Sequence, residues 1–467
     1  MKLSISALLC TLLLFNCFVQ LVVGKDCSDF KTRRLCKKNK QVCKWNKGKP
    51  EGKKCINQCK KIKDPEVCDE TVGCKFREKK EKCRNKQPPS PPLCTQQMIT
   101  AQKFDAENEI VDDQQENASF GNSVAIVDNM MAIGSVGAER DDNKGAVYVY
   151  KRNKYGSWKL LKKVEGDKGD QLGFRVAMST NTIVAGAPSA NNNNGYVAVI
   201  DTLISQPVIQ LEEVGGSPFS QFGRSVGISE DGNVIVVGSS SAGLFFYEKD
   251  TLGNWEIVQN VQIEYSNWDF FGSKSVAIDN EFVITTAKNA NAVFEGREEC
   301  IVFIYVRDSE GLWVVFESES LGYFELTGYN PKVSLSGNTI AVGLKNGFNS
   351  NNVQTGAVFI FTKEKVDNEA FTWKRTQNIF GPEDLSDLNF GRNVAISGNN
   401  MVVGHNTEGA TYFYTQNKKG KWIEDKQVIS ENGGYSTGRS VSASGTTAAL
   451  GVGYVNEFTG SVDVECF

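Results

Sequence analysis

Across residues 390–428 the apolar positions come in short bursts separated by polar, glycine-containing turns. Val394, Ala395 and Ile396 make the first burst, Ser397, Gly398 and Asn399 the turn after it, and Met401, Val402 and Val403 a second burst ending at Gly404. Aromatic residues alternate through 411–414, and after a turn at Lys419 and Gly420 a fourth segment opens with Trp422. Runs this short, bounded by turn formers and rich in β-branched and aromatic residues, predict strands and leave no room for helices.

The same four-part unit recurs. The first strands read FGNSVAI at Phe120, LGFRVAM at Leu172, FGRSVGI at Phe222, FGSKSVAI at Phe271, YNPKVSL at Tyr329, FGRNVAI at Phe390 and TGRSVSA at Thr437, spaced 47 to 61 residues apart. Second strands such as 130–134, 182–186 and 339–343 end in glycine, and third strands begin at Gly145, Gly195, Gly243, Cys300, Gly356 and Gly460. Trp158, Trp255, Trp313, Trp373 and Trp422 open fourth strands, with Pro207, Val208 and Ile209 taking that place in the second unit. A four-stranded unit repeated seven times predicts a β-propeller, because one such sheet leaves both faces wet until neighbours cover them.

The register also predicts how the ring closes. The chain ends after a third strand at 461–464, so the last unit lacks its outer strand. Residues 98–104 stand where fourth strands stand before a following unit, and they are expected to supply it. Antiparallel pairing there would bring Cys94 near Cys466, so a Cys94–Cys466 disulfide is expected to lock the ring. Cys300, on a third strand, is expected to be a buried free thiol.

The FG starts, the apolar strand pairs and the turn Gly186, Ala187, Pro188 resemble the FG-GAP repeats of the integrin alpha-subunit propeller, over roughly residues 96–467. The resemblance implies the seven-bladed fold. It implies much less about activity, since such propellers serve adhesion receptors, phospholipase accessory domains and other secreted proteins. The small residues Gly121, Ala125, Gly391 and Ala395 are expected to let backbones approach near the axis.

The amino-terminal part has a different composition. Lys2 precedes an apolar run over residues 8–23, and Val22, Val23 and Gly24 offer small residues for cleavage, the pattern of a signal peptide. No later run is long enough for a transmembrane segment, so an exported product is expected. Nine of the thirteen cysteines fall between Cys27 and Cys94, which in an oxidising compartment implies disulfides. They form two tandem units, 27–55 and 59–83, each with four cysteines and an aromatic, Trp45 or Phe76, two places after the third. Zinc is disfavoured because this stretch has no His and no paired CxxC. Within each unit three pairings are open.

The organisation expected is all-β: residues 1–24 a signal peptide, 25–86 a basic cysteine-rich tandem module, 87–95 a proline-rich linker, and 96–467 a seven-bladed propeller closed by an N-terminal outer strand. Charge divides along the same boundary. Residues 25–86 carry 22 Lys and Arg against 9 Asp and Glu, whereas 87–467 carry 29 against 46. A field that positive suits anionic extracellular polysaccharide or wall material better than nucleic acid, given export.

Candidate chemistry is sparse. His405 is the single histidine, which argues against a serine triad or a histidine-ligated metal centre. The integrin-type calcium loop DxDxDG is missing, and its nearest relatives, 141–145 and 229–233, are short of carboxylates. No cofactor is expected; Ca2+ is the one candidate, at the acidic approach formed by Asp105, Glu107, Glu109, Asp112, Asp113 and Glu116. Asn117 heads a glycosylation sequon, Asn117, Ala118, Ser119, placed in the loop before the first FG. The connections 135–144, 187–194, 288–299 and 344–355 are expected to form one irregular, ligand-facing surface. The function expected is a secreted, non-enzymatic binding or adhesion-type protein recognising an extracellular protein or anionic polysaccharide. The alternative is a secreted polysaccharide-acting enzyme, a glycosidase or lyase, with paired carboxylates in the propeller funnel.

Overall fold

The computed structural model describes residues 96–467 except 100–101, 105–109, 113–116, 139–141, 203–207, 214–218, 241–242, 263–267, 270–274, 295–296, 325–330, 352, 367–369, 384–388, 406–409, 430–436 and 453–459; before these it describes four short strands. The chain divides into two compact units, Met1–Leu93 and Cys94–Phe467. In the first, Cys43–Trp45 pairs with Cys55–Asn57 and Cys74–Arg77 with Lys82–Asn85. The two hairpins correspond: Trp45 stands opposite Cys55 as Phe76 stands opposite Cys83, so the aromatic and the fourth cysteine share one ladder position in both halves of the tandem.

The second unit is a seven-bladed β-propeller. Blade 1 runs Asn117–Val127, Met130–Ala138, Ala146–Arg152, Trp158–Glu165, and blade 2 runs Arg175–Met178, Thr182–Ala187, Tyr196–Asp201, Ile209–Leu211. Blade 3 consists of Ser225–Ile228, Val234–Ser239, Gly243–Lys249 and Trp255–Val261. Blade 4 consists of Val276–Ile278, Phe282–Phe294, Arg297–Arg307 and Trp313–Phe324, with the short Trp268–Asp269 added to its second strand. Lys332–Ser336, Thr339–Leu344, Ala357–Lys365 and Phe371–Phe380 form blade 5, and Asn393–Ser397, Asn400–Gly404, Ala410–Gln416 and Trp422–Ile429 form blade 6. In blade 7, Thr437–Ser444, Thr447–Val452 and Ser461–Cys466 take Gln97–Ile99 as their outer strand.

The closing ladder sets Val462 against Ile99 and Val464 against Gln97. It is shorter than expected. Three residues suffice, and the chain then forms a separate hairpin, Gln102–Phe104 on Ile110–Asp112. Cys466 is disulfide-bonded; Cys94, the partner expected for it, lies outside the described residues.

Blades pack through repeated devices. The FG aromatic turns edge-on to its own third strand: Phe120 on Tyr148, Phe222 on Phe245 and Phe390 on Tyr412, each with centroids 5.2 Å apart. The glycine beside it meets the preceding blade. A Cβ on Gly186 would fall inside the envelope of the Gly223 carbonyl oxygen, and the same holds for Gly134 with Gly173, Gly404 with Gly438 and, across the closure, Gly451 with Gly121. Close approach therefore runs from second strand to the next FG turn, and not between neighbouring inner strands alone.

At the rim, an outer-strand side chain holds the next blade's tryptophan by its backbone. Gln259 bonds both N and O of Trp313, Gln377 does the same to Trp422, and Glu317 accepts from Trp373 N at 2.8 Å. Lys426 takes this place at blade 7, where it donates to the Cys466 carbonyl and pairs with Glu465 at 3.7 Å. The turns into Trp158, Trp255, Trp313 and Trp422 share the pattern Asn/Asp-x-x-Gly-x-Trp. Asn153, Asp250, Asp308 and Asn417 each accept two backbone N–H groups through Oδ1, a side-chain mimic of a backbone turn. The glycine there has positive φ, 92° at Gly253, with open space around it.

Candidate functional site at the propeller axis

The inner strands surround an axial channel, and the two residues before the inner-strand valine of each repeat help decide what faces it. Some of these residues bind the next blade. Ser123 donates to the Gly173 carbonyl at 2.8 Å, Ser440 to the Gly121 carbonyl at 2.8 Å, and Asn393 Nδ2 to the Arg439 carbonyl at 2.6 Å. This belt of side-chain to backbone bonds stitches inner strands whose own ladders end within each blade.

At other blades one of the two residues is a cation. Arg175 of blade 2, Lys332 of blade 5 and Arg439 of blade 7 line a cavity of about 160 Å3 on the axis, together with Asn122 of blade 1. Arg224 of blade 3 and Arg392 of blade 6 act on the same point. Burial and then the positive charges of Arg224, Arg392 and Arg439 push the Arg175 guanidinium down to about 10. Arg175 keeps a partly accessible surface because it faces the channel, yet protein encloses it on every other side. Burial lowers Arg224 as well. Among the described residues, none that lines this cavity is a carboxylate.

Three of these guanidiniums each make a hydrogen bond to a neutral oxygen. Arg175 Nη1 donates to the Phe174 carbonyl at 2.9 Å, Arg224 Nη1 to the Gln221 amide oxygen, and Arg439 Nη2 to Asn122 Oδ1 at 3.4 Å. Arg224 Nε is buried without an acceptor among the described residues. Arg224, Arg392 and Arg439 thus raise the positive potential at Arg175.

The cations stand at the beginnings of inner strands, and each second strand ends beside them, as Gly186 does opposite Arg175 and Gly134 opposite Ser123. The connections from blade to blade and from second to third strand thus surround the cationic mouth. Within them, residues 187–194 form a tight turn with Asn191, Asn192 and Asn193 at φ of 51°, 60° and 66°. Residues 344–355 fold back through a bridge from Phe348 to Gln354, with Asn349 bonded to Glu383. The expected irregular loop 288–299 is instead mostly ladder. Its strands continue as a hairpin, Lys288 opposite Cys300 and Phe294 opposite Arg297, with a bulge between Asn289 and Val293 absorbing the polar residues.

The other candidates fall away from the axis. Asp142 pairs with Lys168 at 2.6 Å, and that hydrogen bond holds its carboxyl below the usual range; Asp141 lies outside the described residues. In 229–233 the one aligned carboxylate, Asp231, accepts from Ser229 Oγ at 2.6 Å, Asn233 N at 3.1 Å and Asn233 Nδ2 at 2.9 Å. Partial burial raises its pKa, but those bonds outweigh it and the net shift is downward. Its oxygens are thus engaged in shaping the hairpin.

Of the acidic approach, Asp112 lies in the hairpin strand Ile110–Asp112, whereas Asp105, Glu107, Glu109, Asp113 and Glu116 lie outside the described residues. Among the described residues no group of three or more potential metal ligands converges. His405 is fully buried with its ring 6.2 Å from that of Tyr412. Cys300 is a buried free cysteine, its thiol pushed up by burial and then by Glu299. Asn117 is placed in the first strand of blade 1, opposite Ala138, and not in a loop. No sequence-based expectation singled out Arg175 or its neighbours, because the cation shifts between one and two places before the valine from repeat to repeat.

Residues 110–150 match the FG-GAP repeat. They span the whole of the first two strands of blade 1 and most of the third, so an FG-GAP repeat sits within a seven-bladed propeller. No match to the chain was found among curated proteins.

Proposed function

We propose that the chain is a secreted, non-enzymatic binding protein that recognises an extracellular partner with the propeller face surrounding the cationic mouth. The observation that carries this reading is the axial cavity, to whose lining different blades contribute Arg175, Lys332 and Arg439. Charges assembled from separate repeats on one point, and surrounded by connections that are free to vary, suit recognition. FG-GAP propellers are often used for binding, which agrees. Export rests on the apolar run at 8–23, and among the described residues no helix is long and apolar enough to cross a membrane. The basic tandem module, with its excess of Lys and Arg, would add attachment to anionic polysaccharide.

The rival reading, a polysaccharide-cleaving enzyme with paired carboxylates in the funnel, draws no support from this lining. A panel of neutral and anionic extracellular polysaccharides and surface proteins, immobilised and exposed to the full mature chain, tests the proposal. Retention of a partner that weakens as salt rises is the expected result. Release of shortened oligosaccharides from the panel would replace it with the enzymatic reading.

A further inference from the structure

We propose that the rim crevice between blades 4 and 5 takes the ammonium of a lysine side chain from a protein partner. The site lies on the outer strands, away from the axial mouth, and does not rest on the reading of that face.

One residue sets this crevice apart from those on either side. The residue just past the register shift in the outer ladder is Gln259 in blade 3, Glu317 in blade 4 and Gln377 in blade 5. Each glutamine closes its crevice reciprocally. Its amide oxygen accepts from the next blade's tryptophan N–H and its amide nitrogen donates to the carbonyl of that same tryptophan, at 2.7 and 3.0 Å for Trp313 and at 2.9 Å in both bonds for Trp422. Glu317 accepts from Trp373 N at 2.8 Å, but a carboxylate has no hydrogen to return to the Trp373 carbonyl. The crevice thus sets a carboxylate beside a carbonyl that lacks the amide donor given to Trp313 and Trp422. An ammonium, with three donors and no acceptor, answers both oxygens.

The space and the charge balance fit such a group. A cavity of about 370 Å3 opens here, and its lining includes Ile304, Phe361 and Trp373 together with Glu317 and Glu319. The apolar members suit the four-carbon stem of lysine and the carboxylates suit its head. The cations nearby are already engaged. Arg375 pairs with Glu319 at 3.3 Å, and Lys363, opposite Trp373 in the ladder, pairs with Glu281 at 3.1 Å and lies over the rings of Phe282 and Phe371. Glu317 makes no ion pair among the described residues, so one negative charge is left for a ligand.

The surroundings point to a protein as the source of the lysine. Val314, Val315 and Phe316 run up to Glu317 and are all exposed, and Phe316 stacks on Phe371 of blade 5 with centroids 4.8 Å apart. Apolar side chains on the surface around an anchoring charge are the make-up of a protein interface, and a free diamine has nothing to lay against them.

Ligand-observed saturation-transfer NMR and thermal unfolding of the full mature chain test the proposal. The probes are the capped tripeptide Phe-Lys-Phe, its Nε-acetylated form, capped Gly-Lys-Gly, cadaverine and glucosamine. The parent should bind Phe-Lys-Phe, less tightly as salt rises, with the acetylated form at least fivefold weaker and Gly-Lys-Gly at least threefold weaker. E317Q should bind Phe-Lys-Phe at least fivefold more weakly than the parent. Because it installs the glutamine that clasps Trp313 and Trp422, it should also melt no lower than the parent. V315S, an exposed change, should weaken Phe-Lys-Phe and leave Gly-Lys-Gly as it was, and it locates the site if E317Q fails to fold. Equal binding by parent and variants, or by the acetylated and unmodified peptides, overturns the proposal. Cadaverine or glucosamine bound as tightly as Phe-Lys-Phe overturns the protein partner in favour of a small diamine or an amino sugar.

Discussion

Ile99 and Val462 stand directly opposite each other in the outer ladder of blade 7, although one lies just after the proline-rich stretch and the other five residues from the end of the chain. Ile99 is buried in a cluster with Phe120, Val124 and Val464, so the strand that completes blade 7 also packs on blade 1. I99A should cost about 2–4 kcal/mol, the range for truncating a buried aliphatic side chain. Urea unfolding followed by tryptophan fluorescence would show it as a lowered midpoint, and an unchanged midpoint would mean that the ring does not depend on this contact.

Two glycines with different reasons for being glycine give a paired test. Gly186 has an ordinary φ but no room, since the Gly223 carbonyl occupies the place of its Cβ; Gly253 has room but a φ of 92°. G186A should therefore destabilise by roughly 3 kcal/mol or more through overpacking, and G253A by only about 1 kcal/mol through backbone strain. Thermal melts of the two variants should rank in that order. The reverse ranking would contradict the close approach of blades 2 and 3.

Asp463 faces away from the Ile99 cluster, toward blade 6. Burial and then the charge of Glu465 push its carboxyl up to about 6. Glu465 itself is held by Lys426 at 3.7 Å and Gln96 at 2.7 Å. A carboxyl whose folded pKa exceeds its unfolded value makes folding less favourable as pH rises from about 4 through 6, since the unfolded chain ionises first. D463N should remove that loss, leaving the variant more stable than the parent above pH 6 by on the order of 2 kcal/mol and close to it below pH 4. Denaturant midpoints measured from pH 4 to 8 check the sign, and a parent whose stability rises through this window as the variant's does would refute it.

The Cys94–Cys466 bond is expected to link the two strands that close the ring. Peptide mapping without reductant should recover the two cysteines in one cross-linked species. C94S should lower stability by about 2–4 kcal/mol, read as a drop in melting temperature relative to the parent. Recovery of Cys466 joined to a cysteine of the 27–83 tandem would reassign the lock.

The fold was legible because each repeat carries local information that agrees with its neighbours: short apolar bursts, turn glycines and a tryptophan at the outer strand. The number and register of those units place Ile99 beside Val462 at the closure. The axial site was not legible, for a geometric reason. A residue becomes a channel lining only when seven inner strands converge, and the cation occupies the place before the valine in Arg175 and Lys332 but two places before it in Arg224, Arg392 and Arg439. Aligned as a column, these residues look like ordinary surface charge. The hairpin beyond Lys288 escaped notice for a different reason, because Asn289 and Asn291 read as loop formers while the backbone pairs around them through a bulge.

The shared blade imposes an order of events on synthesis. Gln97–Ile99 leaves the ribosome before any blade exists, and its seat on Ser461–Cys466 emerges only after the strands of the first six blades. Through elongation the early strand must wait unpaired while six sheets assemble behind it, with blade 1 lacking its neighbour on one flank. A chain halted before Ser461 would hold six complete sheets and yet lack the partner for that waiting strand, so the seal of the ring depends on synthesis passing this point.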